Sequence, residues 1–478
     1  MVAMGHIGSV LVVFLGILSG VRCLLVDSVS LNWENLHYSR TLDLSKGYVK
    51  ETDLIEIKNV GQQAEDEYYY TLNDGFNTIG NLSLISVTIN QAVVVEAKLI
   101  EDQLYLLKLP RAIAPGKSLE LKVSYVYLGS LQPVPQKISM DTVQSILLKL
   151  NKFAYSPYST HEYSLRFIGI TKGQEMDIAQ DDLINTELNL SPRVEEKALV
   201  YGPTLDVVPP LTIKPMGLLY DHNRPLTLVE NLSRSVWVPA SDVEHLSFEE
   251  YYELTNTGAQ LNSGFSRVEW MKGKYEQNRN HWALSHFEIV PNNNQFNDYY
   301  FSDKVGMITT HQKIQNHLLL QPRFPIFGGW FYNFTLSWNN QLSQYIHKIN
   351  NEEDVFIMKI PLLNGLRDAS YNHVDLNIYL PENSQFLNVS SPIEYDDILI
   401  DHELSYLDID KGHVKVTLKF SNLFDDMHKL DLFVTYKYTK ATYLWKIFKI
   451  SGFVFLGLIS YFLLKKIDLS VDQQKKES

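Results

Sequence analysis

A chain of 478 residues with 45% hydrophobic side chains has room for two or three cores, and a formal net charge of −13 at pH 7 argues against nucleic acid or anionic lipid as partners. Residues 24–436 alone carry −19, and Cys23 is the single cysteine, so no disulfide closes within the chain and its body has no thiol chemistry. Aromatic residues make up 12%, with 28 tyrosines, which suits β packing.

In chain order, the first element is the apolar run at 7–21, IGSVLVVFLGILSGV. It is too short to span a bilayer comfortably and ends near small residues, so residues 1–23 read as a signal peptide; cleavage after Cys23 and cleavage after Gly20 both remain open. Leu119–Tyr127 alternates apolar and polar residues with period 2, as a half-buried strand does. At 141–152 (DTVQSILLKLNK), Asp141 as N-cap and Val143, Ile146, Leu147 and Leu150 on one face predict a helix. Gly202–Pro215 holds four prolines and predicts a domain boundary. The Asn-rich stretch 278–297 reads as a loop.

Within 322–330 (PRFPIFGGW), Pro322 and Pro325 fix φ, Gly328 and Gly329 permit a tight corner, and Phe324, Phe327 and Trp330 bring buried area around Arg323. Phe331–Trp338 follows as a strand, with Tyr332, Phe334, Leu336 and Trp338 on one face and Asn333 and Thr335 on the other. Asp375–Leu380, Val414–Phe420 and Leu430–Tyr438 alternate in the same way. A second apolar run, Ile450–Leu464, becomes a spanning helix when extended back to Ile447, about 27 Å at 1.5 Å per residue. Lys446 and Lys449 are expected to snorkel there, with Tyr443 and Trp445 at the interface. The tail ends Lys475-Lys476-Glu477-Ser478, a dilysine pattern of retrieval to the endoplasmic reticulum (ER).

The expected fold is therefore mainly β. Two β-sandwich-like luminal domains, 24–208 and 209–442, precede a transmembrane helix at 443–464 and a short cytosolic tail at 465–478. About four residues separate the last strand from the membrane, so the second domain is expected against the bilayer. No internal repeat is visible.

Candidate chemistry is sparse. Asn81, Asn231, Asn333 and Asn388 fit the N-glycosylation pattern N-x-Ser/Thr; Asn189 also fits, but Pro192 directly after its serine sets it apart. Asp408-Ile409-Asp410 matches the D-x-D of metal-holding sugar-nucleotide transferases, yet Asp410-Lys411-Gly412 before an alternating strand is ordinary turn chemistry, and that reading is preferred. The clusters Asp396-Asp397, Asp401-His402-Glu403 and Asp425-Asp426-Met427-His428 lack calcium-loop spacing, and H-E-x-x-H and G-x-S-x-G are absent. No catalytic, cofactor-binding or metal-binding residue is expected.

Several segments together carry a resemblance. They are Trp33-Glu34-Asn35 with Arg40-Thr41-Leu42-Asp43-Leu44-Ser45, SPYST at 156–160, GAQLNSGFSRV at 258–268, NDYYFSDKVGMITT at 297–310, and PRFPIFGGW at 322–330. In this order and spacing the chain resembles the ribophorin I family, subunit 1 of oligosaccharyltransferase, in its short fungal type. The resemblance implies a non-catalytic subunit of the enzyme that transfers a dolichol-diphosphate-linked oligosaccharide to Asn of N-x-Ser/Thr in nascent polypeptides. It implies a scaffolding and acceptor-positioning role, a single-pass type I protein of the ER membrane with the bulk of the chain luminal, and no cofactor. Implied partners are the catalytic multi-span subunit, whose W-W-D-Y-G motif is absent here, a small hydrophobic subunit, and nascent acceptor polypeptide. Two rivals remain from the residues alone: an autonomous luminal glycosyl transferase or hydrolase with an acidic site near Asp408 and Asp410, and an ER lectin or chaperone.

Overall fold

The computed structural model describes residues 32–467, apart from the short stretches 73–78, 91–92, 102–103, 179–183, 185, 205, 241–243, 276–281, 291–295, 316, 350–353 and 406–407. The signal-peptide run and the tail lysines Lys475 and Lys476 lie outside the described residues. Alternation becomes strand wherever it is strong. Ser118–Tyr127, Phe331–Gln341, Ala369–Glu382 and His413–Phe424 cover segments read as strands, and Asp431–Lys437 lies within the one read at Leu430–Tyr438.

The strands form two sheet systems of matching design. In the first, an eight-stranded sheet has Trp33–Asp43 at its centre, antiparallel to Val49–Asn59 and parallel to Thr160–Ile168. In the second, Thr227–Trp237 lies antiparallel to His245–Asn256 and parallel to Ala369–Glu382, again inside eight strands. Each large sheet is accompanied by one four-stranded and one three-stranded sheet. Trp33–Asp43 and Thr227–Trp237 are both 11 residues long with the same alternation of burial, and both carry a register shift after the third residue. Each system closes a large apolar cluster, and Tyr48, Val126 and Leu128 of the first system pack into that of the second.

The duplication extends to side chains. The eighth residue of each central strand is a buried arginine, in Ser39-Arg40-Thr41-Leu42 and Ser233-Arg234-Ser235-Val236. Each meets a buried glutamate on the next strand, Arg40 with Glu51 and Arg234 with Glu250. Each second strand ends on a fully buried asparagine followed by x-Gly. Asn59 Oδ1 accepts from the Gly61 N–H at 2.8 Å, and Asn256 Oδ1 from the Gly258 N–H at 3.0 Å. Their amides donate to loop carbonyls, Gln63 and Ile113 in one unit, Trp282 and Ile326 in the other. In the second unit the carbonyls of Trp282 and Ile326 are buried, and satisfying them in this way offsets what would otherwise be a desolvation cost of about 1–3 kcal/mol each.

Two expectations change. The predicted helix at 141–152 is instead the strand Ser145–Asn151, paired with Pro215–Asp221 and Leu131–Pro133. Ile146, Leu148 and Leu150 alternate as well as Val143, Ile146 and Leu150 rotate, and two partner strands decide for the alternation. Asp141 accepts from Ser139 Oγ at 2.6 Å in a turn rather than capping a helix. The described part of 278–297 is not loop throughout, since Trp282 is fully buried and Phe287–Ile289 is a strand. Pro215–Asp221 still belongs to the first sheet system, so the chain passes into the second at His222–Leu226, one strand after Gly202–Pro215.

Candidate functional site

Two places join the parts of this chain, and the sequence-marked residues gather at both. The first is the joint between the sheet systems. Lys137–Ile138 pairs in parallel with Gln260–Leu261 across it. The fully buried Gln144 accepts from Ala259 N–H at 2.7 Å and donates to the carbonyls of His222 and Arg224, both at 3.0 Å. Asp425 accepts from Lys46 Nζ at 2.8–2.9 Å, from the Tyr48 hydroxyl and from the Asp368 N–H. Asn422 Nδ2 donates to the Gly80 carbonyl at 2.6 Å. The cluster Asp425-Asp426-Met427-His428 thus contributes a joint, with Lys46 held by both aspartates.

The PRFPIFGGW corner packs against the same joint. Phe327 is fully buried, with the rings of Trp282, Trp330, Trp270 and Phe265 centred 5.0–5.8 Å away. A Cβ on Gly328 would stand 2.1 Å from the Ala259 carbonyl oxygen, which forces glycine at this contact. Gly329, at φ +76°, donates to the Asn256 carbonyl at 2.7 Å. Trp282 Nε1 reaches the first unit, donating to the Thr142 carbonyl at 3.2 Å. Arg323 donates to Asp303 at 2.6 Å and to the carbonyls of Gly306 and Met307. Burial would raise the Asp303 carboxyl, but Arg323 and the N–H groups of Val305 and Gly306 outweigh it and hold it below the usual range. Phe324 departs from its expected burial, with 40% of its surface exposed; it leans edge-on to Trp330 and Tyr332.

Gln144→Ala should weaken the joint. It removes three hydrogen bonds and strands the buried His222 carbonyl and Ala259 N–H, a cost of about 2 kcal/mol. The check is limited proteolysis, which should then cut at His222–Leu226, with thermal unfolding splitting into two transitions. An unchanged cleavage pattern would count against the joint as described.

The second place is the junction with the long apolar helix Lys440–Lys466, whose N-cap Thr439 accepts from the Thr442 N–H at 3.2 Å. Only two residues separate it from the last strand, Asp431–Lys437. Its mean hydropathy reaches 2.0 over 18 residues and none of that window is covered by the rest of the chain, as a membrane span requires. The predicted D-x-D lies beside its first turns. Lys446 Nζ is 2.8 Å from both Asp408 Oδ1 and Glu382 Oε2, and Lys449 pairs with Asp410. The two lysines, three apart, stand about one turn up one helix face, which matches two carboxylates two apart in an extended loop.

These carboxylates are built in. Glu382 and Asp408 side chains are 2% and 1% exposed. Glu382 Oε1 accepts from the N–H groups of Ile409 and Asp410 at 3.0 and 2.6 Å, and Asp408 Oδ2 from Ser405 N–H at 2.8 Å. Burial would raise the Glu382 carboxyl, but Lys446 and the two N–H donors outweigh it and hold it below the usual carboxylate range. Lys449 does the same for Asp410. The ammonium groups of Lys446 and Lys449, expected to snorkel, end on carboxylates of the second sheet system: buried ones hold Lys446 and a partly exposed one holds Lys449. Among the described residues no cluster of His, Cys, Asp or Glu is placed to hold a metal ion.

Of the other sequence-marked residues, Asn81, Asn231 and Asn388 are exposed and Asn333 is half-buried on an outward face. Asn189 is exposed, and its side-chain Oδ1 accepts from Lys152 Nζ at 3.5 Å. Asp397 and Glu403 pair with Lys419 and Lys415 across an edge strand. Sequence reasoning missed Glu382, Gln144, Asn256 and both arginine–glutamate pairs. The repeated Ser-Arg-[Ser/Thr]-aliphatic and Asn-x-Gly strings were the available signal.

Residues 33–465 match the family described as Ribophorin I. The chain is 24% identical over 451 residues to the dolichyl-diphosphooligosaccharide–protein glycosyltransferase subunit 1 of Caenorhabditis elegans, covering 92% of this chain and 73% of that protein. Subunit 1 of Schizosaccharomyces pombe is 24% identical over 428 residues, covering 87% and 91%. Subunit 1A of Arabidopsis thaliana is 23% identical over 456 residues, covering 91% and 70%. Among solved structures, native leukotriene A4 hydrolase from Saccharomyces cerevisiae aligns with 44% of this chain and 30% of its own at 11% identity, with a TM-score of 0.28 that carries no argument.

Proposed function

Since this chain belongs to the ribophorin I family, we propose that it serves the dolichyl-diphosphooligosaccharide–protein glycosyltransferase as a non-catalytic scaffold, anchored in the ER membrane by the Lys440–Lys466 helix. The observation that carries this reading is the fate of the one acidic triad with a catalytic look. Glu382, Asp408 and Asp410 are spent on Lys446 and Lys449, and so fix a β domain to a membrane helix. Glu382 and Asp408, buried and already held by Lys446 and by backbone N–H groups, are closed to a substrate or metal approaching from solvent.

Two residues between strand and helix, with five charged groups joining the second sheet system to that helix, leave it no freedom to swing. In this reading both sheet systems are luminal. The rigid joint and junction hold them at a set height over the bilayer, where the catalytic multi-span subunit and a small hydrophobic subunit meet the helix. Nascent acceptor polypeptide passes along the β surfaces thus placed. The test is depletion of this protein, followed by measurement of sequon occupancy on reporter glycoproteins and purification of its detergent-stable assembly. Expected are reduced occupancy and co-purification with the catalytic subunit. Normal occupancy with a monomeric product would overturn the proposal, and transfer or hydrolase activity of the purified chain alone would favour an autonomous enzyme.

A further inference from the structure

Phe331 leaves 70% of its surface in solvent at the start of the strand Phe331–Gln341. One exposed phenylalanine is unremarkable on a protein surface; its position on the strand is what matters. In a strand, residues i and i+2 share a face and stand about 6.6–6.8 Å apart. Phe331, Asn333 and Thr335 therefore line up outward, while Tyr332 and Phe334 are 5% and 1% exposed beneath. On one side Asn333 pairs in register with Glu253 and Thr335 with Tyr251. On the other, pairing with Asn297–Asp303 ends at the Phe334–Asp303 pair, short of Asn333 and Phe331. Asn333 Nδ2 reaches the Tyr251 hydroxyl at 3.0 Å, on the solvent side of the sheet.

We propose that Asn333 carries an N-linked oligosaccharide whose first N-acetylglucosamine lies against the ring of Phe331, so that the glycan is a packed part of the fold. The C–H face of a pyranose is apolar and weakly positive, which suits the negative face of an aromatic ring. Phe331 is one strand step from the acceptor, within reach of the first sugar, and Thr335 supplies the hydroxyl at the required +2 position. In the transfer, Asn333 Nδ2 forms a bond to C1 of the reducing-end sugar of a dolichyl-diphosphate oligosaccharide. The C1–O bond to phosphate breaks with its electron pair going to the diphosphate, and Nδ2 gives one proton to a base or water. Nothing is oxidised or reduced. The step precedes pairing of this strand with His245–Asn256, and the sugar settles on Phe331 as the sheet closes.

Asn231 provides an internal control. It sits in the same cross-strand row, opposite Glu253, and its amide donates to Glu253 at 2.6 Å. The residue two before it, Val229, is fully buried beside a register shift, so its own strand offers no exposed ring at the position Phe331 holds relative to Asn333.

The test uses the full-length chain purified in detergent from eukaryotic cells. Mass spectrometry of the glycopeptide should find hexose-bearing N-acetylglucosamine on Asn333. Asn333→Gln should lower the melting midpoint by about 2–4 °C. The same substitution in a Phe331→Ala background should lower it much less, and in a Phe331→Trp background by the full amount. Trimming with an endoglycosidase to the single first sugar should leave the midpoint of the wild-type chain in place. An unmodified Asn333, or equal shifts in the Phe331 and Phe331→Ala backgrounds, would overturn the proposal.

Discussion

Replacing Arg234 with methionine is expected to destabilise the second sheet system by about 3–5 kcal/mol, because it leaves Glu250 charged, buried and without a cation. Arg234 and Glu250 are 1% and 0% exposed, and Glu250 has no route to water. Its remaining partners, the Tyr252 hydroxyl at 2.6 Å and the Asn364 amide at 3.0 Å, are neutral donors that cannot replace the guanidinium. The design of the control follows from the same contacts. Glu250→Gln together with Arg234→Met keeps an oxygen for Tyr252 and Asn364 and removes the charge, so most of the loss should be recovered. Glu250→Leu would not serve, since it strands both donors. Denaturant unfolding of the three proteins decides the matter; if the double variant is no more stable than Arg234→Met, the charge is not what the arginine is there to balance. The equivalent change, Arg40→Met, should do similar damage in the first system, with the further loss of the 2.7 Å bond from Arg40 Nη1 to the Asn151 carbonyl.

Much of this architecture was legible, and the parts that were not share a cause. Strands with one buried face announce themselves by alternation, and the segments read that way at Leu119–Tyr127, Phe331–Trp338 and Val414–Phe420 all lie in strands. Ser145–Asn151 was misread because Ile146, Leu147, Leu148 and Leu150 form a nearly continuous apolar run, which fits a helix face and a strand buried on both faces equally well. The duplication of the two sheet systems was invisible because strand pairing is set by backbone register. Positions where a side chain must satisfy a buried charge or loop carbonyl keep their identity, among them Arg40 and Arg234, Glu51 and Glu250, and Asn59 and Asn256. The membrane junction was hidden for a different reason. Asp408 and Asp410 lie 38 and 39 residues from the lysines they hold, and nothing local distinguishes a turn aspartate from one aimed at a helix. The aromatic and glycine content of 322–330 was legible, but the contact of Gly328 with Ala259, and the bond to Thr142 from Trp282, which packs on Phe327, depend on the tertiary fold.

The junction yields the second large effect. Lys446→Met should release the membrane helix from the second sheet system, since it leaves the nearly fully buried Glu382 and Asp408 facing each other without a cation, at a cost of about 3–5 kcal/mol. Lys449→Met should do far less, because Asp410 keeps more than a third of its side chain in water. Pairing Lys446→Met with Glu382→Gln and Asp408→Asn removes the stranded charges and should restore much of the stability, but not the attraction that orients the helix. The three proteins therefore separate folding from placement. If placement is the function, sequon occupancy in cells should fall with both Lys446→Met and the neutralised triple variant, although the triple variant folds. Full occupancy with the triple variant would show that the junction contributes stability alone. The pH dependence runs in a fixed direction. The Glu382 and Asp410 carboxyls are held below their ordinary values, so their contribution is complete above about pH 4–5 and is lost only as pH falls through the lowered values. Docking of the helix, followed by a spin or fluorophore pair across the junction, should then stay constant from pH 7.5 to about 5 and loosen only below that range. Release near pH 6 would count against Glu382 and Asp410 as the groups that govern the junction.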